Sequence, residues 1–159
     1  MGFAPCVMQL KSDAFEQDGL IPSKFTGEGA DVSPSISWTA PPRDTKGFAV
    51  ICHDPDAPLV TGDGTYGFVH WVLYNIPGNV TRLEEGTKLF TGGRNDFGQI
   101  GYNGPMPPKG HGRHRYYFWV LALKEPFALE GGLTMWQVLK KLEPCLIGMN
   151  RLVGCYLRD

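Results

Sequence analysis

RYYFWVLAL, Arg115–Leu123, is the stretch on which the fold turns. It is short, apolar, rich in aromatic and β-branched side chains, and bounded by glycine and proline, the signature of a β-strand. Two other runs share that character, FAVIC at Phe48–Cys52 and FVHWVLYNI at Phe68–Ile76. These three are the expected central strands. Met8–Ser12, Ser35–Thr39 and Leu152–Leu157 are weaker candidates, the last two placed nearer an edge.

A single segment reads as helix. Thr134 is a cap, Met135, Val138, Leu139 and Leu142 recur at i, i+3, i+4 and i+7, and Pro144 forbids continuation. One late helix among many strands excludes a doubly wound α/β fold. The spacing of turn signals predicts a mainly β chain: an antiparallel β-sandwich of Greek-key type with one or two short helices, one near the C-terminus, as a single domain over 1–159. The loops Ala57–Gly67 and Leu89–Gly112 are long, and long loops in compact domains are often functional.

Composition narrows the classes of function. Of 159 residues, 42% are hydrophobic and 19% charged, an ordinary globular balance, while 21 glycines and 13 prolines point to many turns. With 15 basic and 16 acidic residues scattered to a net charge of −1, there is no electrostatic footprint for nucleic acid or an anionic membrane. No run approaches the roughly 20 apolar residues of a membrane span, and Met1–Leu10 lacks the features of a secretory signal, so the expected location is cytoplasmic, with no stable membrane insertion. Cys6, Cys52, Cys145 and Cys155 are widely spaced without a CxxC pair, and are read as reduced, mostly buried thiols.

Period-2 alternation places His114, Tyr116 and Phe118 on one face of their strand, and Phe68, His70 and Val72 on one face of theirs. If those strands are neighbours, two histidines and a tyrosine converge at one sheet end, with Asp54 closing a third strand. Arg115 then points the other way, as a hydrogen-bonded or ion-paired anchor. Trp71, Tyr117 and Trp119 are read as an aromatic core set on that opposite face. His111-x-x-His114 lacks fixed geometry and a third ligand, so no metal is expected.

Several motifs run in one order: Ser33-Pro34-Ser35-Ile36-Ser37-Trp38, Asp54-Pro55-Asp56-Ala57-Pro58, His70-Trp71-Val72-Leu73-Tyr74-Asn75-Ile76-Pro77, Asn95-Asp96-Phe97-Gly98, Gly101–Gly110, His114-Arg115-Tyr116 and Leu146–Arg158. Together they resemble the phosphatidylethanolamine-binding protein family, most of all its bacterial YbhB/YbcL-type branch, relatives of Raf kinase inhibitor protein. The resemblance implies a β-sandwich whose small pocket binds phosphate-like anions, with Asp54, His70, His114 and Tyr116 at the matching positions. It further implies that Gly104, Met106 and Pro108 form a wall, that Ala57 and Phe68 line the pocket, and that Tyr156 falls near a lid. Met106 stands where eukaryotic members often have glycine, and His111 is an extra histidine without a family role.

An anion site also follows from physical chemistry. Pro105, Pro107 and Pro108 lock φ while glycines permit close backbone approach, so the loop is suited to hold N–H groups in an anion-binding nest. His70 and His114 add donors, and Asp54 sets the tautomer and charge of an imidazole. Binding is then expected to strengthen from about pH 7 towards 6, around the reference histidine pKa near 6.5.

The expected function is a small soluble binding protein for phosphate or a phosphorylated small molecule, without cofactor. The resemblance adds modulation of a protein partner, in the manner of kinase-inhibitor relatives, and a homodimer. The alternative is a weak phosphate-ester hydrolase using Asp54, His70 and His114. FAVICHDPDAP imitates the start of an aspartyl-phosphate phosphatase, but Ala57-Pro58 breaks that pattern and the alternating helices are missing.

Overall fold

The computed structural model describes residues 6–57 and 67–159. The described residues contain eight strands: β1 (Gln9–Lys11), β2 (Ile36–Thr39), β3 (Gly47–Asp54), β4 (Phe68–Pro77), β5 (Arg82–Leu83), β6 (Thr91–Gly92), β7 (His114–Leu123) and β8 (Leu146–Tyr156). One α-helix, α1 (Met135–Leu142), precedes β8. The main sheet runs β6-β4-β3-β7-β8 and a smaller one β1-β2-β5, every pairing antiparallel.

Burial explains the long apolar runs. Met8, Ile36, Trp38 and Leu83, on or beside the small sheet, pack against Phe48, Val50, Trp71, Phe118 and Val120 of the main sheet. On the other face, Ala49, Ile51, Val72, Tyr74, Leu121 and Leu123 are covered by Val138 and Leu142 of α1. The main sheet is thus the middle layer of three, and strands buried on both faces lose polar alternation. Replacing a fully buried aromatic such as Phe118 by alanine is worth about 3–5 kcal/mol.

The helix forms where its sequence signals put it. Thr134 accepts from the Gln137 amide and Gln137 returns the bond, a complete capping box, and Pro144 sits in the short 3-10 turn that ends the helix. β8 lies at a sheet edge as expected but begins at Leu146, earlier than its strongest apolar run. β2, expected near an edge, is instead the central strand of the small sheet.

Two further expectations require correction. β4 and β7 are not neighbours, because β3 lies between them. The period-2 phase of β4 also slips: Cys52 pairs with Trp71 but His53 with Val69, so His70 is the extra residue of a β-bulge. The bulge puts His70 and Trp71 on the same side, and Val72 packs under the helix layer rather than sharing a face with His70. Trp71 is therefore buried in the inter-sheet core, while Tyr117 and Trp119 stack, half-buried, on the opposite face, where Arg151 lies 5.3 Å from the Trp119 ring. A second slip between Phe48 and Val50 leaves Asn75, at φ 59, unpaired; its amide bonds Thr91 and the Leu129 carbonyl.

Candidate functional site

The end of β3 and the starts of β4 and β7 meet at one end of the main sheet, because antiparallel neighbours run in opposite directions. A cavity of about 340 Å³ opens there. Asp54, His70, His114 and Tyr116, each buried, form its polar inner end. Ala57, Phe68, Phe97, Met106, Pro107 and Pro108 line the walls, and exposed His111 completes the lining.

Each polar group is held by an identifiable partner. His114 Nδ1 lies 2.7 Å from Asp54 Oδ2, and a carboxylate only accepts, so the proton is on Nδ1. The other oxygen of Asp54 accepts from the Asp56 amide at 2.8 Å. His70 Nδ1 donates to the Asn103 carbonyl at 2.7 Å, which leaves Nε2 as its second nitrogen. Asn103 is itself held through its side chain, whose amide donates to Asp31 Oδ2 at 2.9 Å while its oxygen accepts from the Asn95 amide at 2.8 Å.

Electrostatics sort these groups. Burial pushes the His70 imidazole below the usual histidine pKa, opposed by the Asn103 carbonyl and the Asp54 charge. Burial, reinforced by Asp54, pushes the Tyr116 phenol far above its ordinary value, so it stays a donor. Its hydroxyl is buried with no hydrogen-bond partner among the described residues. The Tyr116 ring meets His70 edge-on at 5.2 Å between centroids, reaching over β3. Cys52, paired with Trp71 and Phe118, has its thiol pushed well up by burial.

The loop from Gly104 to Gly112 is rigid in a way the sequence did not indicate. Gly104 donates to Asp31 Oδ1 at 2.6 Å, Gly110 to the Arg158 carbonyl at 2.9 Å, and His111 to the Pro108 carbonyl at 3.2 Å. These three amides are committed within the protein, and Pro105, Pro107 and Pro108 lack N–H. The C-terminus straps the loop: Arg158 donates to the Pro107 carbonyl at 3.1 Å and to Glu28 at 2.9 Å, and Tyr156 donates to Glu28 at 2.5 Å.

Eight of the nine anticipated positions, Asp54, Ala57, Phe68, His70, Met106, Pro108, His114 and Tyr116, line the cavity. Gly104 does not. It lies behind the wall, where an added Cβ would come within 2.0 Å of the Phe25 carbonyl oxygen. Arg115 points away, its backbone and guanidinium both donating to Asp56. Phe97, Pro107 and His111 also line the cavity without having been singled out for it, although Asn95-Asp96-Phe97-Gly98 stood among the motifs. The loop Ala57–Gly67 lies outside the described residues from 58 to 66.

This geometry stands beside a match over 11–157 to the family model described as Phosphatidylethanolamine-binding protein. The chain belongs to the phosphatidylethanolamine-binding protein family. Within that family it is 41% identical to a UPF0098 protein of Methanothermobacter thermautotrophicus over 158 residues, covering 95% of this chain and 99% of the relative. The crystal structure of Escherichia coli YbcL, described as a new member of the mammalian family, superposes with a TM-score of 0.87 at 34% identity, covering 97% of this chain and all of that one. A family homologue from Chlamydia trachomatis gives 0.86 at 38% identity, covering 96% and 98%. These names state no enzymatic activity. No helix among the described residues is long and apolar enough to cross a membrane.

Proposed function

We propose that this family member is a binding protein for small phosphate-type anions, free or as the phosphoryl end of a larger ligand, seated among His70, His114 and Tyr116. The observation that carries this is the Tyr116 hydroxyl: a buried phenol held protonated, on the cavity wall, with no acceptor among the described residues. A buried donor without an acceptor costs about 1–3 kcal/mol, which a ligand oxygen recovers on binding. His70 and His114 lie at the same polar end, each with Nδ1 anchored to an acceptor, and His114 Nε2 faces exposed His111.

The apolar walls add a second requirement. Phe68, Phe97 and Met106 suit carbon rather than water, so the preferred ligand carries its anionic group on an organic body. Hydrolysis is the weaker reading, since His114 Nε2, which would have to take a proton from water, already faces His111 Nδ1 at 2.8 Å.

Equilibrium titration with phosphate and with O-phosphoethanolamine tests this. Saturable binding of both, tighter for the ester and weakened at least tenfold in His70→Ala, is expected. Equal weak binding to wild type and variant would overturn the assignment, and turnover of p-nitrophenyl phosphate lost in Asp54→Ala would favour the hydrolase.

A further inference from the structure

His111 stands apart from the residues the family resemblance supplies, yet its ring is part of the site. His111 Nδ1 lies 2.8 Å from His114 Nε2, their ring centroids 5.1 Å apart, and His114 Nδ1 lies 2.7 Å from Asp54 Oδ2. Asp54, His114 and His111 therefore form a continuous chain from the buried end of β3 to an exposed ring lining the cavity.

The protons along this chain follow from the chemistry of its atoms. Asp54 accepts, so His114 carries its proton on Nδ1 and, when neutral, offers a lone pair on Nε2. His111 must then donate from Nδ1 to that lone pair, which leaves a bare lone pair on its own Nε2. That nitrogen has no hydrogen-bond partner among the described residues. In this form the chain repels an anion at its outer end. One added proton on His111 Nε2 reverses this: both existing hydrogen bonds stay as they are, and the free end becomes an N⁺–H donor. Charging an exposed ring costs far less solvation than charging buried His114.

We infer that His111 is the charge-selecting contact of the cavity, taking up one proton from solvent as a dianion binds and holding that dianion through Nε2–H, with His114 and Asp54 as positioning residues behind it. This rests on the anion-binding reading above and deepens it by naming the ligand class: dianions, phosphate monoesters or sulfate, in preference to monoanions. The only bond formed is N–H, and the proton comes from the buffer.

The charged and titratable groups around His111 lie on several elements. Asp54 faces it through His114, and His70 and Tyr116 share the cavity. Lys109 and Arg113 belong to its own loop. Glu28 is held below its usual carboxylate range first by the hydrogen bonds from Tyr156 and Arg158 of the C-terminal strap and only last by Lys109. No carboxylate among the described residues contacts His111 directly.

Sulfate, a dianion throughout the range from pH 6 to 8, is the probe, titrated calorimetrically in two buffers of different ionisation enthalpy so that protons taken up per sulfate are counted. His111→Gln preserves a donor to His114 but accepts no proton. It is expected to bind sulfate roughly tenfold more weakly, as for loss of one charged hydrogen bond, and to take up about one proton fewer per sulfate. His111→Lys, permanently charged, restores the affinity without restoring the proton. Unchanged affinity and proton count in His111→Gln overturn the inference while leaving the anion site intact. Wild-type protein that binds no sulfate overturns both.

Discussion

His114 Nδ1 and Asp54 Oδ2 sit 2.7 Å apart with each side chain 3% exposed, so the last residue of β3 and the first of β7 are joined by a buried, charge-assisted hydrogen bond. Removing one partner leaves the other desolvated. Asp54→Ala is expected to lower stability by about 3 kcal/mol, read from the denaturant midpoint, and to abolish anion binding as well. Asp54→Asn, which can present N–H to the imidazole and so favour the opposite tautomer, keeps more of the stability and still loses the binding.

Tyr116→Phe should separate binding from stability in the other direction. The phenol hydroxyl has no partner among the described residues to lose, so the variant is expected to match wild type in stability within about 0.5 kcal/mol, or to exceed it. Anion affinity should nevertheless fall roughly five- to tenfold. Thermal melts and a sulfate titration on the same sample check both halves.

His70 sets a pH window for the free protein. Its folded pKa is lowered by burial, so below the unfolded value near 6.5 the unfolded chain binds the extra proton first. Stability from this group is complete above pH 6.5 and is lost as pH falls through the lowered folded pKa. Urea midpoints of wild type and His70→Gln should therefore converge on acidification, with the variant showing the flatter profile. Anion binding runs the other way, strengthening as pH falls, and the depressed His70 shifts that rise below the window expected from an unperturbed histidine.

Gly104 tests the wall. An added methyl would sit 2.0 Å from the Phe25 carbonyl oxygen and 2.9 Å from the Thr26 Cα, both backbone atoms that cannot swing aside. Gly104→Ala is expected to cost more than about 2 kcal/mol and to loosen the Asp31 bond that positions Asn103 and, through it, His70. Native-state amide exchange at Asn103 and Gly104 would register the loosening.

Much of this was legible in the chain because its signals are local. The three central strands are continuous apolar runs, and α1 carries its cap at Thr134 and its stop at Pro144 within a few residues. Which side chains share the cavity was harder to read. Simple alternation placed Val72 with His70, but the His70 bulge depends on how Cys52 and His53 pair with β4, which no single strand encodes. The strand order that puts β3 between His70 and Tyr116 is likewise a property of pairing. Gly104 looked like a pocket residue because its reason for being glycine lies with Phe25 and Asp31, more than seventy positions away in sequence. His111 went without a role because a loop histidine reveals its partner only once the loop is folded, and the partners of the Gly104 and Gly110 amides, Asp31 and Arg158, are equally remote in sequence.

On the proposed function, the polar end of this cavity holds an anion. Isotope-labelled protein titrated with sulfate, with histidine ring nitrogens and backbone amides followed by NMR, tests it most directly. Saturable shifts confined to His70, His111, His114, Tyr116 and the Asn103–Gly112 loop, with the His111 ring gaining a proton as sulfate binds, are the predicted result. Ring nitrogens of His70 and His114 that keep their free-state shifts at saturating sulfate, or changes scattered over surface lysines and arginines, would contradict it.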